Sequence, residues 1–308
     1  MTTPQVRTCF FGVPAMGSWK IRAGQVAGVR REWHSTGSLE PYDIVHHDAF
    51  VAVKRPFRSA LRLLTAMGKT TIYDVVDCWA QPADGLRYRD LPAIRGWFRE
   101  FVRDLAVDGV IFPNRTMRED LGDLVPNPTT IYHHYWPGMA PIEVREQARL
   151  VGYQGEPEYL GQWRAVIERI CARHGLRFVV NPSDYRNLDI GFAARGGVHA
   201  STLAHRYKSN VKLANFYGAA LPCVVNDSEL AYKETDNGQV RFFATERELE
   251  DRIVELLPYE TRLEAHRSFL DERHKYTLEA IGDQYDAFLR TCHERRELAP
   301  TGRYPAAP

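Results

Sequence analysis

The stretch RYKSNVKLANFYGAALPCVV (206–225) reads as a short helix, a small-residue break, Pro222 and an apolar strand. The apolar run LDIGFA (188–193) precedes it, so the local pattern is strand–helix–strand. Ser209 is the expected N-cap, which would put Lys212 in the first turn and Lys208 four residues before it on one helical face. A helix N-terminus carries roughly +0.5 charge, and a cation placed there loses a few tenths of a kcal/mol to about 1 kcal/mol. From Ile190 to Asn226 the sequence has no Asp or Glu, while Arg195, Arg206, Lys208 and Lys212 fall inside that span. A bound anion would remove the conflict. Free backbone N–H groups, the helix dipole and two lysines together suit a phosphate or diphosphate. The plainer alternative is a solvated basic helix end.

Outward from this stretch, short apolar runs alternate with helical patterns. VRTCFFGV (6–13), YDIVHH (42–47), TTIYDVVD (70–77), DGVIFP (108–113) and TTIYHH (129–134) read as strands. The segments 19–33, 56–68, 94–107 and 115–124 between them read as helices. After WPGMAPIEVREQ (136–147), read as a linker, the pattern restarts with the strand RLVGYQG (149–155) and an amphipathic helix over 159–175. Strands at 176–181, 188–193, 221–225 and 239–244 and helices at 246–257, 260–274 and 277–295 complete it. β-α alternation implies mainly parallel sheets with helices on both faces. The expectation is two doubly wound α/β domains facing a central cleft: an acceptor-side domain over 1–140 and a nucleotide-binding domain over 148–275. A closing helix over 276–295 and a flexible tail over 296–308 follow.

Composition narrows the function. The 308 residues hold 40 Lys+Arg against 39 Asp+Glu, so no global charge points to nucleic acid. Five scattered cysteines without a CxxC pair argue against a disulfide framework or a structural zinc site, and no metal ligands are expected. No run reaches the ~18 apolar residues of a membrane span. A cytoplasmic protein is expected, with peripheral membrane contact left open. No G-x-G-x-x-G or Walker loop is present, which weighs against a nicotinamide oxidoreductase or an ATPase.

KSNVKLANFYGAALPCVVNDSELAYKE (208–234) resembles the donor-site segment of glycosyltransferases of the two-Rossmann, GT-B architecture, with Lys212, Asn215, Pro222 and Val224 at matching places. Ala220 stands where that pattern has glycine. Asn215 and Tyr207 stand where many members carry the two glutamates of an E-x7-E pair. The resemblance extends loosely to RLVGYQGEPEYLGQWRAVIERIC (149–171), to FFATERELEDRIVELLPYETRLEAHRSF (242–269), whose final helix would cross back to the first domain, and to FFGVPAMGSWKIRAGQVA (10–27). It implies a divergent, metal-independent glycosyltransferase of the hexosyltransferase type. Such an enzyme would move a sugar from a nucleoside diphosphate donor, a UDP-sugar first, to a hydroxyl on a saccharide, lipid or hydroxymethylated DNA base. It would need no cofactor beyond the donor. The competing reading is a non-catalytic two-domain protein that binds nucleotide or nucleic acid.

Under that resemblance Lys212, Lys208 and Arg206 would stabilise the β-phosphate. Asn215 and Glu229 would hold ribose or sugar, and Gly17 and Ser18 would line the cleft. Asp77, at the carboxyl end of an apolar strand, would sit at the sugar or take the acceptor proton. The chain has no Asp-x-Asp, so lysines, arginines and a helix dipole must neutralise the leaving group. HHD (46–48) offers a base or a metal ligand, although adjacent strand histidines point to opposite faces. Trp79, Trp97 and Trp136 are expected in the core. The first 72 residues carry ten Lys/Arg against four acids, which suits an anionic acceptor or a basic solvated face.

Overall fold

The computed structural model describes residues 5–55, 57–77 and 90–298; Cys78, Trp79 and the tail beyond Leu298 lie outside them. The chain forms two compact units, one up to Ile131 together with the residues from Leu278 onward, the other Tyr132–Thr277. The boundary thus falls before WPGMAPIEVREQ, which belongs to the second unit.

The first unit contains β1 (Thr8–Phe11), the single turn α1 (Gly17–Trp19), β2 (Trp33–Thr36), α2 (Pro41–His46), β3 (Ala49–Val53) and α3 (Arg58–Ala66). It continues with β4 (Thr70–Asp74), α4 (Leu91–Arg103), β5 (Gly109–Phe112), α5 (Arg115–Leu121) and β6 (Pro128–Thr130). The six strands pair in the order β2-β1-β3-β4-β5-β6, all parallel. Helix α4 shows why such segments fold as they do. Asp90 caps it by accepting the Ala93 N–H at 2.8 Å, and Ile94, Phe98 and Val102 recur every fourth residue as its buried stripe.

Two expectations fail here. YDIVHH is not a strand but most of α2. Glu40 is its N-cap and Pro41 its first residue, and the Asp43 carboxylate accepts the Glu40 N–H at 2.9 Å, closing a capping box. The helix expected over 19–33 is instead α1 running into a π-helical turn, Lys20–Gln25, and Trp33 already opens β2. Strands β2 and β3 were not anticipated.

The second unit contains β7 (Leu150–Tyr153), α6 (Trp163–Arg173), β8 (Arg177–Val180), β9 (Ile190–Ala193), α7 (Thr202–Tyr207) and α8 (Val211–Ala219). Then come β10 (Cys223–Asn226), α9 (Leu230–Glu234), β11 (Arg241–Phe243), α10 (Glu246–Glu255) and α11 (Tyr259–Glu272). Its parallel sheet has the order β11-β10-β9-β7-β8. Strand alternation divides the core between the two faces. Ala193, Cys223 and Val225 pack with α8, whereas Phe192 and Val224 pack with α6 and α10. The last helix, α12 (Leu278–Leu298), belongs to the first unit, where Ile281, Tyr285 and Leu289 pack against Phe10, Val51 and Ile72.

Candidate functional site

In an open α/β sheet ligands bind beyond the carboxyl ends of the strands, where the strand order reverses. In the second unit that point lies between β7 and β9, because the chain passes from β7 to β8 on one side and then to β9 on the other. The loops after β7 and β9 and the start of α8 supply its side chains. Gly155, after β7, has φ +135°, a conformation open essentially to glycine, and a Cβ there would lie 3.4 Å from the Lys212 Nζ. The loop after β9 packs against the Tyr159–Gln162 segment, where Gly161 (φ +51°) leaves room for the Gly196–Gly197 backbone. That packing presents Arg195.

Lys212 is half-buried in the first turn of α8. Its Nζ donates to the Tyr153 hydroxyl at 2.8 Å and lies 3.9 Å from the centre of that ring. Burial, reinforced by Arg195 and Lys208, pushes the ammonium pKa down to about 7, and Glu229 opposes the shift. Arg195 donates from Nε to Glu229 at 2.9 Å and lies over the Tyr159 ring. Burial alone would push the Glu229 carboxyl up, but His205 and Arg195 outweigh it and hold the pKa below its usual value. Asn210, not Ser209, is the N-cap of α8. It is fully buried, its Oδ1 accepts the His133 N–H at 2.9 Å, and its Nδ2 has no hydrogen-bond partner among the described residues. The start of α8 therefore gathers Lys212, Arg195 and a donor amide around the buried Glu229 carboxylate, with Lys208 close enough to act on Lys212.

Some expected roles shift. Lys208 is not on the helix of Lys212 but is the C-cap of α7, so the two reach the site from successive helices. Arg206, half-buried, lies on α7. Glu229 is 3% exposed and bound to Arg195, which makes it the residue that positions that guanidinium rather than an open grip for a diol. Ala220, where the resemblance has glycine, holds the left-handed C-cap of α8 with φ +47°. Sequence reasoning placed Arg195 among the cations but gave it no role. The signal was the long acid-free span; its partner Glu229 lies beyond that span.

Next to Lys212, Asn215 lines a pocket of about 530 Å3 together with Trp136, Gln154, Ser183, Asp184 and Tyr185. Asn215 Oδ1 accepts the Trp136 N–H at 3.0 Å. Trp136, expected in the core, is 46% exposed and lines this pocket.

In the first unit Asp77 follows β4 and accepts from the Lys54 Nζ at 3.2 Å. Lys54 itself and Val76, next to Asp77, have φ +65° and +69°, and the β-branched Val76 is strained there. Gly17 is exposed with open space at its Cβ, so neither backbone nor packing requires glycine there. The Ser18 hydroxyl and the Trp19 indole N–H are buried without a hydrogen-bond partner among the described residues, beside the π-helical turn. His46 and His47 end α2 and do not follow a strand.

No protein-family model and no curated protein matches the sequence. Solved structures do match. One is an alpha,alpha-trehalose-phosphate synthase (UDP-forming) from Burkholderia xenovorans in complex with glucose-6-phosphate. Its TM-score is 0.61 at 10% identity, over 92% of this chain and 100% of that one. A trehalose-6-phosphate structure from E. coli bound with UDP-2-fluoro glucose gives 0.53 at 11% identity, over 79% of this chain and 73% of that one. TarM gives 0.54 at 12%, over 78% of this chain and 54% of TarM, so the chain spans about half of TarM's length. Identities this low show the fold, an α/β architecture of two Rossmann-like units of the GT-B type. Among the described residues no helix is long and apolar enough to cross a membrane.

Proposed function

We propose that the protein is a glycosyltransferase that takes its sugar from a nucleoside diphosphate donor, a UDP-sugar first, and passes it to an acceptor hydroxyl. The observation that carries this reading is the half-buried Lys212 ammonium, held by the neutral Tyr153 hydroxyl at the strand switch point, beside a pocket of nucleoside size. The diphosphate would lie at the start of α8 against Lys212, Arg195 and Asn210, with Lys208 and Arg206 adding positive charge. The nucleoside would occupy the Trp136–Asn215 pocket. The acceptor oxygen bonds to the anomeric carbon as the bond from that carbon to the phosphate oxygen breaks. The electron pair leaves on the diphosphate, and the acceptor proton goes to a base. Lys212 and Arg195 stabilise the charge that develops there without a metal. In the first unit, Asp77 remains the candidate for contact with the sugar or acceptor, and Gly17 and Ser18 for contact with the donor. The neighbour bound with UDP-2-fluoro glucose supports a uridine donor.

Scanning nucleoside diphosphate sugars for donor hydrolysis and for a rise in melting temperature tests this reading. Hydrolysis of one donor, falling about 10²–10³-fold in Lys212→Ala with the melting temperature kept, is the expected result. Binding without hydrolysis or transfer would favour a nucleotide-binding protein. If no donor is hydrolysed or shifts the melting temperature, the proposal fails.

A further inference from the structure

A second cluster of chemically capable side chains lies in the first unit, away from its strand carboxyl ends. Cys9 (β1), Asp43 (α2) and His47 (just after α2) are 0%, 5% and 8% exposed. Each brings a potential ligand atom, and all three atoms lie within 4.8 Å of one another. Cys9 is the register partner of His34 on the neighbouring parallel strand β2, so both side chains stand on one face of the sheet. The His34 Nε2 is 3.7 Å from the Asp43 Oδ1, and the His34 and His47 rings stack with centroids 5.9 Å apart.

The second contacts of these groups are equally specific. The His47 Nδ1 donates to the Asp43 carbonyl at 2.8 Å, which fixes the tautomer and leaves a lone pair on Nε2. Asp43 Oδ2 is taken up by the Glu40 N–H in the capping box, at 2.9 Å. Helix capping therefore explains one carboxylate oxygen and not the other, which faces His34.

We propose that Cys9, His34, Asp43 and His47 bind one Zn²⁺. The donor set of one thiolate, two imidazoles and one carboxylate suits zinc, whereas Mg²⁺ and Ca²⁺ prefer oxygen alone. Charge favours it too. A dication with one thiolate and one carboxylate is neutral overall, so the buried site carries no net charge into the interior. Zinc bonds of about 2.0–2.3 Å put tetrahedral ligand atoms roughly 3.5 Å apart, a closure of about 1 Å from the widest separation within Cys9, Asp43 and His47, while the exposed His34 turns in further to complete the set. The ligands come from β1, β2, α2 and the α2–β3 connection, near the amino ends of the strands. The metal is structural, tying α2 to the sheet edge.

Metal analysis of protein expressed with added zinc tests this. Wild type should carry about one zinc per chain, and Cys9→Ser and His47→Gln less than a tenth of that. His34→Gln, at the most exposed ligand, should weaken retention at least tenfold. Cobalt added to the wild-type apoprotein should give a thiolate-to-cobalt charge-transfer band; this reading does not depend on whether any variant folds. A wild-type chain with no zinc above buffer and no cobalt band overturns the proposal. So does zinc that persists in Cys9→Ser and His47→Gln.

Discussion

The two units share a strand order up to their fifth strand, and each buries charge near the carboxyl end of a central strand, yet the two clusters are balanced differently. In the first unit the fully buried Arg22 donates to Asp74 at 3.0 and 3.3 Å and to the Ile131 carbonyl at 3.1 Å, while the Tyr285 hydroxyl of α12 donates to the same carboxylate. Here one buried cation meets one buried anion. In the second unit the half-buried Lys212 Nζ donates to a neutral phenol, that of Tyr153, at 2.8 Å, the buried Glu229 accepts from Arg195 at 2.9 Å, and the Asn210 Nδ2 has no hydrogen-bond partner among the described residues. A closed ion pair holds a fold together. A half-buried ammonium held by a neutral hydroxyl leaves its charge to be met by a ligand.

The largest expected effect tests the closed half. Asp74→Ala leaves the Arg22 guanidinium buried without its anion and strips the Tyr285 hydroxyl of its acceptor. Unfolding in urea should show a loss of about 3–5 kcal/mol. Lys212→Ala should cost no stability near neutral pH, because it removes a buried ammonium whose ionisation opposes folding. If both lose comparable stability, the contrast between a structural and a ligand-seeking cluster collapses.

The next effect is a pH dependence of the open half. The Lys212 pKa is lowered from 10.5 to about 7 by burial. The unfolded chain therefore binds more protons than the folded one between those values, so stability rises with pH across that window, and the penalty is full below about 7. A bound diphosphate favours the charged amine and raises its pKa. Binding above pH 7 should take up a proton, and affinity should fall by up to about tenfold per pH unit as pH rises from 7. Calorimetry with UDP at pH 8, in buffers of different ionisation enthalpy, reads the uptake. Lys212→Met should abolish it. Uptake that survives in that variant would assign the proton to another group.

How much of this could be read in the sequence follows from how locally each feature is encoded. The β-α alternation and the strand–helix–strand around Lys212 depend on residues close in sequence, and those elements formed. YDIVHH misled because its apolar content is strand-like, while the deciding signals, Glu40 and Pro41, sit just before it. Arg195 and Lys212 were visible as cations in an acid-free span, but their neutralising partner Glu229 comes from the next loop. Cys9, His34, Asp43 and His47 have no motif spacing. Only the β1–β2 register and the return of α2 bring them together. Trp136 sits in the stretch read as a linker, and the pocket it lines is a product of folding.

The smallest effect separates the two ways in which Tyr153 holds Lys212. Its hydroxyl accepts from the Lys212 Nζ and donates to the Glu156 carbonyl at 3.1 Å, while the ring face lies under the same ammonium. Burial pushes the phenol pKa up to about 12, so it stays neutral and acts as an aligning dipole rather than a counter-charge. Tyr153→Phe keeps the ring and removes only the hydroxyl. Affinity for UDP should fall by about 0.5–1.5 kcal/mol, roughly 2- to 13-fold, because the amine loses an oriented acceptor but not its charge. Titration calorimetry on Tyr153→Phe and Lys212→Ala side by side decides the matter. A loss in Tyr153→Phe as deep as that in Lys212→Ala would make the phenol itself the ligand contact, and the Lys212 charge would no longer be what this half of the molecule offers a ligand.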